Sequence, residues 1–168
     1  MLYKKIHIDD LELFQKNLLP LIHKDAFKLV GVFPQWSDEL LNSKEIQKLI
    51  NQLNLSNKID YIAVITMPPN SESPIHIDGD RPECSLNIPL LNCENTFMNW
   101  YSSDQPPKEV VVEDNKTYFG ADIETCTKIA SIEMNNPYYV NIKQLHNGYN
   151  PNDTWRVLLS IRLTASEL

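Results

Sequence analysis

The 168-residue chain has a mass of 19.4 kDa, enough for one well-buried core and too little for two domains of ordinary size. Hydrophobic residues make up 42% and charged residues 22%, an ordinary globular composition, and no apolar run approaches the roughly 20 residues needed to cross a bilayer. A net charge of −7 and a pI near 5.0 oppose binding to a phosphate backbone, and no basic stripe offsets them, so nucleic acid is not an expected partner.

The N-terminal stretch MLYKKIHIDDLELF meets acidic residues where a signal peptide needs an apolar core, so a soluble, cytoplasmic protein is expected. The three cysteines, Cys84, Cys93 and Cys126, lack C-x-x-C spacing and read as reduced thiols. A single domain over 1–168 is expected, with 1–58 as mainly helical support and 59–168 as a β core.

In chain order, Asp9 and Asp10 are placed to cap a helix whose apolar face includes Leu11, Phe14, Leu18 and Ile22, with a break at Pro20. A second helix has Ser43 as its N-cap and Glu45 at the positive end of its dipole. Ile46, Leu49, Ile50 and Leu53 form its buried stripe.

From Asp60 the pattern changes to eight short β-rich runs separated by Pro, Asn, Asp, Ser and Gly: YIAVITM, SPIHID, CSLNIPL, NTFMNWY, KTYFG, KIASIEM, PYYVNIKQLH and TWRVLLSIRL. These predict a mainly β jelly roll, a cupin-like double-stranded β-helix with N-terminal supporting helices. Two antiparallel sheets would face each other and open at one end.

In PIHID, His76 and Asp78 lie two residues apart on a predicted strand, so both side chains project from one face. An imidazole and a carboxylate are suitable ligands for iron(II). One further histidine completes a face with three open positions.

His7 and His23 fall in the helical part, leaving His146 at the end of PYYVNIKQLH. The segment NGYNPNDT reads as a turn that folds Arg156 back beside it in a hairpin. Taken singly, His146 reads equally as a strand-end cap and Arg156 as the partner of a surface carboxylate such as Asp153.

In TWRVLLSIRL, Arg156, Leu158, Ser160 and Arg162 share one face, while Val157, Leu159, Ile161 and Leu163 make the other wholly apolar. Two arginines on a buried strand require an anionic partner. A dicarboxylate suits Arg156, whose planar fork grips a carboxylate through two parallel bonds, with Ser160 or Arg162 adding another. Trp100, Tyr101, Tyr118 and Tyr149 are candidates for a substrate pocket, with Trp100 on the strand after CSLNIPL, although strand aromatics commonly belong to the core. Arg81 suits an acidic substrate or the co-substrate, or is held by Asp80 or Glu83.

His76-Ile77-Asp78, then His146, then Arg156, resembles the pattern of the 2-oxoglutarate and iron(II)-dependent dioxygenase superfamily, over Tyr61 to Thr164. MPPNSESPIHID and CSLNIPL look most like the aspartyl and asparaginyl β-hydroxylase branch. The resemblance implies a hydroxylase using Fe(II), 2-oxoglutarate and O₂, with succinate and CO₂ as co-products. It implies an amino-acid or peptide side chain, or another small molecule, as substrate.

In that branch the strand after H-x-D contributes to the co-substrate pocket. Ser85 and Asn87 occupy those alternate positions here, where some members carry basic residues. Two other readings are a cupin-like metal enzyme that does not use 2-oxoglutarate and a non-catalytic jelly-roll binding module. The former usually carries H-x-H, which this chain lacks, and has no need of an arginine beside the metal.

Overall fold

The face alternation of TWRVLLSIRL sets the architecture. In the computed structural model, which describes residues 1–22, 31–34, 38–79, 82–111 and 117–168, this run forms strand β13 (Arg156–Leu163), every residue of which is buried. Val157, Leu159, Ile161 and Leu163 pack with Phe14 and Leu18 of helix α1 (Leu11–Leu18) and with Ile46 and Leu49 of helix α3 (Lys44–Gln52). Leu158 instead joins Met98, Trp100, Ile132 and Met134 in a second core. One face of β13 therefore meets the helices and the other faces the space between the sheets.

The first sheet runs β1 (Tyr3–Lys5), β11 (Tyr138–Val140), β6 (Cys84–Leu91), β13, β3 (Ile59–Met67) and β2 (Gly31–Pro34). The second runs β10 (Cys126–Glu133), β7 (Phe97–Ser103), β12 (His146–Asn150), β5 (His76–Ile77), β9 (Thr117–Gly120) and β8 (Lys108–Val111), with β4 (Ser71–Glu72) also paired to β12. All observed pairings are antiparallel, and the expected double-stranded β-helix is the fold. The short helix α2 (Asp38–Leu41) leads into α3.

Several local expectations change. The N-terminal third is not only helical: β1 and β2 form the two outer edges of the first sheet, strands too short for an alternation to show. Asp10 precedes α1 with φ 52°, and its side chain makes no cap. It faces Lys48 at 3.7 Å, while Asp9 faces His7 at 3.3 Å. Pro20 converts the end of α1 into a 3₁₀ turn, Leu19–Leu21. Ser43 does cap α3, its Oγ accepting from the Ile46 amide at 3.3 Å.

PYYVNIKQLH is two strands in different sheets. Between them the Asn141 side-chain oxygen accepts from the amides of Lys143 (2.9 Å) and Gln144 (3.1 Å), bending the chain out of β11. His146 consequently opens β12, and NGYN is strand. The expected hairpin does not exist, because β12 and β13 lie in opposite sheets.

The corner between them is tied by Asn150, whose amide nitrogen donates to the carbonyls of Pro68 at 2.8 Å and Thr154 at 2.9 Å. We predict that Leu159→Ala, which empties the centre of the helix-facing core, costs about 2–5 kcal/mol in a denaturant titration while metal affinity is retained.

Candidate metal centre and co-substrate cavity

β12 pairs with β5 so that His146 stands directly opposite His76, which brings the two rings to a centroid separation of 4.6 Å. Asp78 follows the end of β5, where its amide donates to the Ile142 carbonyl at 3.0 Å. Its Oδ1 lies 3.4 Å from His76 Nε2. One donor atom from each of His76, Asp78 and His146 lies within 4.8 Å of the others, so the structure brings the three predicted ligands together.

The local backbone decides which imidazole nitrogen is available. His76 Nδ1 lies 2.8 Å from the Pro74 carbonyl and His146 Nδ1 lies 2.9 Å from the Gln144 carbonyl, in each case two residues earlier. A carbonyl only accepts, so Nδ1 carries the proton in both rings and Nε2 keeps its lone pair for a metal.

Burial pushes the His146 pKa down to about 3, helped by the neighbouring His76 and opposed by the Gln144 bond. Burial also lowers that of His76, with Arg162 adding to the effect and the Pro74 bond opposing it. Both rings are neutral at neutral pH, the form that ligates. Two neutral imidazoles and one carboxylate suit non-haem iron(II), with coordination positions left open.

Of the other histidines, His7 lies at the surface beside Asp9, and His23 lies outside the described residues.

Both arginines of β13 are buried on the inner face, and the Nε of each has no hydrogen-bond partner among the described residues. Their surroundings differ. Arg162 Nη1 donates to Asp78 Oδ2 in a very close contact, so the arginine orients the candidate carboxylate donor.

Arg156 has only a long bond, 3.4 Å, from Nη1 to the Phe97 carbonyl, and among the described residues no carboxylate lies within ion-pairing distance. The surface pairing with Asp153 is not formed. Burial lowers the Arg156 pKa to about 10, which leaves it a cation at pH 7. Gly148 stands against it: a Cβ there would lie 3.0 Å from Arg156 Nη2 and 3.4 Å from Met67 Cε.

A cavity of about 520 Å³ joins these groups. Its polar wall includes His76, His146, Arg156, Arg162, Asn87, Asn147 and Glu72; Ile65, Met98, Met134, Ile142 and Leu158 are on its apolar one.

Ser85 and Ser160, the other candidates for co-substrate contact, stand fully buried behind Asn87. Ser85 Oγ donates to Asn87 Oδ1 at 2.8 Å, which leaves Ser160 as donor across the 2.6 Å contact to Ser85.

Trp100 does not line the cavity. It is completely buried in the second core, stacked on Tyr3 at 5.5 Å, with its indole nitrogen donating to the Asn141 carbonyl at 2.8 Å. Arg81 lies outside the described residues.

Tyr118 is on the cavity wall, its ring edge-on to His76 at 5.9 Å. Sequence reasoning passed over Gly148, Glu72, Asn147 and the carbonyls of Pro74 and Gln144. The repeated two-residue offset between carbonyl and histidine is a signal only once both histidines are known to share a site.

No protein-family model and no curated protein matches the sequence. Solved structures do match by fold. The collagen prolyl hydroxylase vCPH of Paramecium Bursaria Chlorella virus-1, solved as its 2OG complex, superposes with a TM-score of 0.56 at 11% identity, over 99% of this chain and 97% of that one. AviO1 from Streptomyces viridochromogenes Tue57 gives a TM-score of 0.52 at 15% identity, over 99% and 90%. EvdMO1 gives 0.56 at 16% identity, over 98% of this chain and 47% of that one.

At these identities the likeness establishes the fold, a jelly roll shared with a 2-oxoglutarate-binding hydroxylase. Closeness to the aspartyl and asparaginyl branch is not among these likenesses.

Two substitutions separate the supporting contacts. Arg162→Met is predicted to lower metal affinity about 10- to 100-fold, the range for losing a residue that orients a ligand, as measured by competition with a metal indicator. Gly148→Ala should displace the Arg156 guanidinium and weaken dicarboxylate binding with metal affinity unchanged, as measured by titration calorimetry.

Proposed function

We propose that the protein is a 2-oxoglutarate- and Fe(II)-dependent oxygenase that hydroxylates an amino-acid or peptide side chain or another small molecule. The observation that carries this reading is the buried Arg156, with no carboxylate partner among the described residues, in a cavity that His76 and His146 of the His76, Asp78 and His146 group also line. A metal site alone would leave that guanidinium without an anion at considerable cost.

His76 and His146 hold a metal through Nε2, each ring locked by its Nδ1–H bond. Asp78 holds it through the carboxylate that Arg162 orients. Arg156 grips the distal carboxylate of 2-oxoglutarate, and Asn87 offers its amide from the neighbouring strand.

Iron bound there supplies oxygen activation coupled to decarboxylation of 2-oxoglutarate: one oxygen atom enters the substrate, the other enters succinate, and CO₂ leaves. The wall of Ile65, Met98, Met134, Ile142 and Leu158 keeps bulk water from the reacting atoms.

Anaerobic addition of iron(II) and 2-oxoglutarate should produce a visible charge-transfer band, and folded protein that gives none would sink the proposal. Arg156→Ala should weaken 2-oxoglutarate binding by about 2–5 kcal/mol and spare iron, the range for removing one member of a buried charge pair. His146→Ala should instead lower metal affinity. Unchanged metal binding in that variant would remove His146 from the ligand set.

A further inference from the structure

Asn147 follows His146 on β12 and stands opposite Asn99 of β7, buried to 1% exposure. Its side chain uses its full hydrogen-bonding capacity. Oδ1 accepts from Asn99 Nδ2 at 3.0 Å and from the Tyr101 hydroxyl at 3.3 Å, while Nδ2 donates to Glu72 Oε1 at 2.6 Å and to the Ser73 carbonyl at 3.3 Å. A carboxylate and a carbonyl only accept, so the amide has one orientation. Asn99 agrees with it, its own Oδ1 accepting from Ser131 at 2.8 Å.

Ser73 carries this arrangement toward the metal face. The backbone of Gly148 holds one half of the residue: the Ser73 amide donates to the Gly148 carbonyl and Ser73 Oγ accepts from the Gly148 amide, both at 2.9 Å. Asn147 holds the other half, the carbonyl, and so restrains the Ser73 ψ. The next peptide is planar and the proline ring fixes its own φ, which leaves the Pro74 ψ as the one soft torsion before the Pro74 carbonyl. Ile75, buried and bonded through its carbonyl to the Ala121 amide at 3.1 Å, restrains the chain from the far side. The Pro74 carbonyl between these two anchors is the group that His76 Nδ1 meets at 2.8 Å.

We infer that Asn147 is a positioning residue for His76: by holding the Ser73 carbonyl it aims the Pro74 carbonyl at the ring, which keeps the His76 proton on Nδ1 and the lone pair on Nε2. Its bearing on metal binding rests on the reading of His76 as a ligand. The amide is specified by its surroundings. An aspartate of the same size brings no donor to the Ser73 carbonyl, and a leucine brings neither donor nor acceptor. The Gly148 bonds to Ser73 come from the backbone alone, so they persist when the Asn147 side chain is changed.

The test reads the tautomer of each ring directly, by long-range ¹H–¹⁵N NMR of the metal-free protein labelled at histidine. In the wild type His76 and His146 should both carry the proton on Nδ1. Asn147→Asp should lower the Nδ1–H to Nε2–H ratio of His76 about tenfold, the equivalent of one hydrogen bond, and leave that of His146, which is set by Gln144, unchanged. The double variant Asn147→Asp, Glu72→Gln relieves the repulsion between the new carboxylate and Glu72 without restoring a donor to Ser73, so the shift should persist there. Asn147→Ser, whose hydroxyl is too short to reach the Ser73 carbonyl, gives the same reading with less disturbance should the aspartate variant fail to fold. Iron(II) affinity, from anaerobic competition with a metal indicator, should fall about tenfold in the same variants, the low end for losing an outer contact of a ligand.

A wild-type His76 protonated on Nε2, a His76 ratio unmoved in the variants, or an equal change in His146 would overturn the inference. So would recovery of the wild-type ratio in the double variant, since charge beside Glu72 would then have moved the ring. The metal reading fails separately. A shifted tautomer with unchanged iron(II) affinity upholds the aiming of Pro74 and removes His76 from the ligand set, whereas an unmoved tautomer with normal iron(II) binding removes the positioning role alone.

Discussion

The strand β13 has to satisfy two environments at once, and the rest of the structure follows from how it does so. Its Val157, Leu159, Ile161 and Leu163 face is sealed by α1 and α3, so the opposite face, with Arg156 and Arg162, is forced into the space between the sheets. Two guanidinium groups removed from water need anions or strong acceptors. Asp78 answers Arg162; nothing among the described residues answers Arg156 with charge. The inner face is therefore built with one internal ion pair and one guanidinium that meets no carboxylate among the described residues, six residues apart along a central strand.

The pairing of β12 with β5 has a comparable role for the metal face. His146 and His76 come from segments far apart in the chain, and direct cross-strand register is what sets their rings side by side. Each ring is then fixed by a carbonyl of its own segment. Orientation is thus local while proximity is long-range, and the carboxylate is fixed by a third element through Arg162. Each of the three candidate donors is thus held by a protein contact of its own.

This division explains what could be read from the sequence. The spacing of His76 and Asp78 and the alternation along β13 are periodic signals, legible without knowing the fold; the alternation describes β13 correctly, and His76 and Asp78 converge although Asp78 lies just past the end of β5. Arg156 and Arg162 have different partners, which no alternation reveals, since that depends on which end of β13 lies near β5.

The course of the chain from Tyr138 to Arg156 differs from what the sequence suggests because Asn141 bends an apolar run that looks continuous, and because NGYN has turn composition yet sits as a strand between β7 and β5. His146 is still legible as a candidate, since elimination among four histidines does not depend on the connection, and it stands opposite His76. Trp100 shows the opposite case: an aromatic beside the right strand, turned into the core by the pleat.

The choice of arginine rather than lysine at position 156 follows from the same burial. Desolvation draws the Arg156 guanidinium down to about 10, and it remains charged with a wide margin at neutral pH. A lysine begins at about 10.4, and a comparable desolvation would bring it within reach of neutrality, so the position would lose its charge. A lysine would also be a single point charge where the planar fork offers two parallel donors, and Gly148 leaves room beside Nη2 for that fork to lie against β12. Small residue, buried strand and guanidinium therefore form one device: β13 supplies the position, Gly148 the space, and arginine a charge that survives the burial the other two impose.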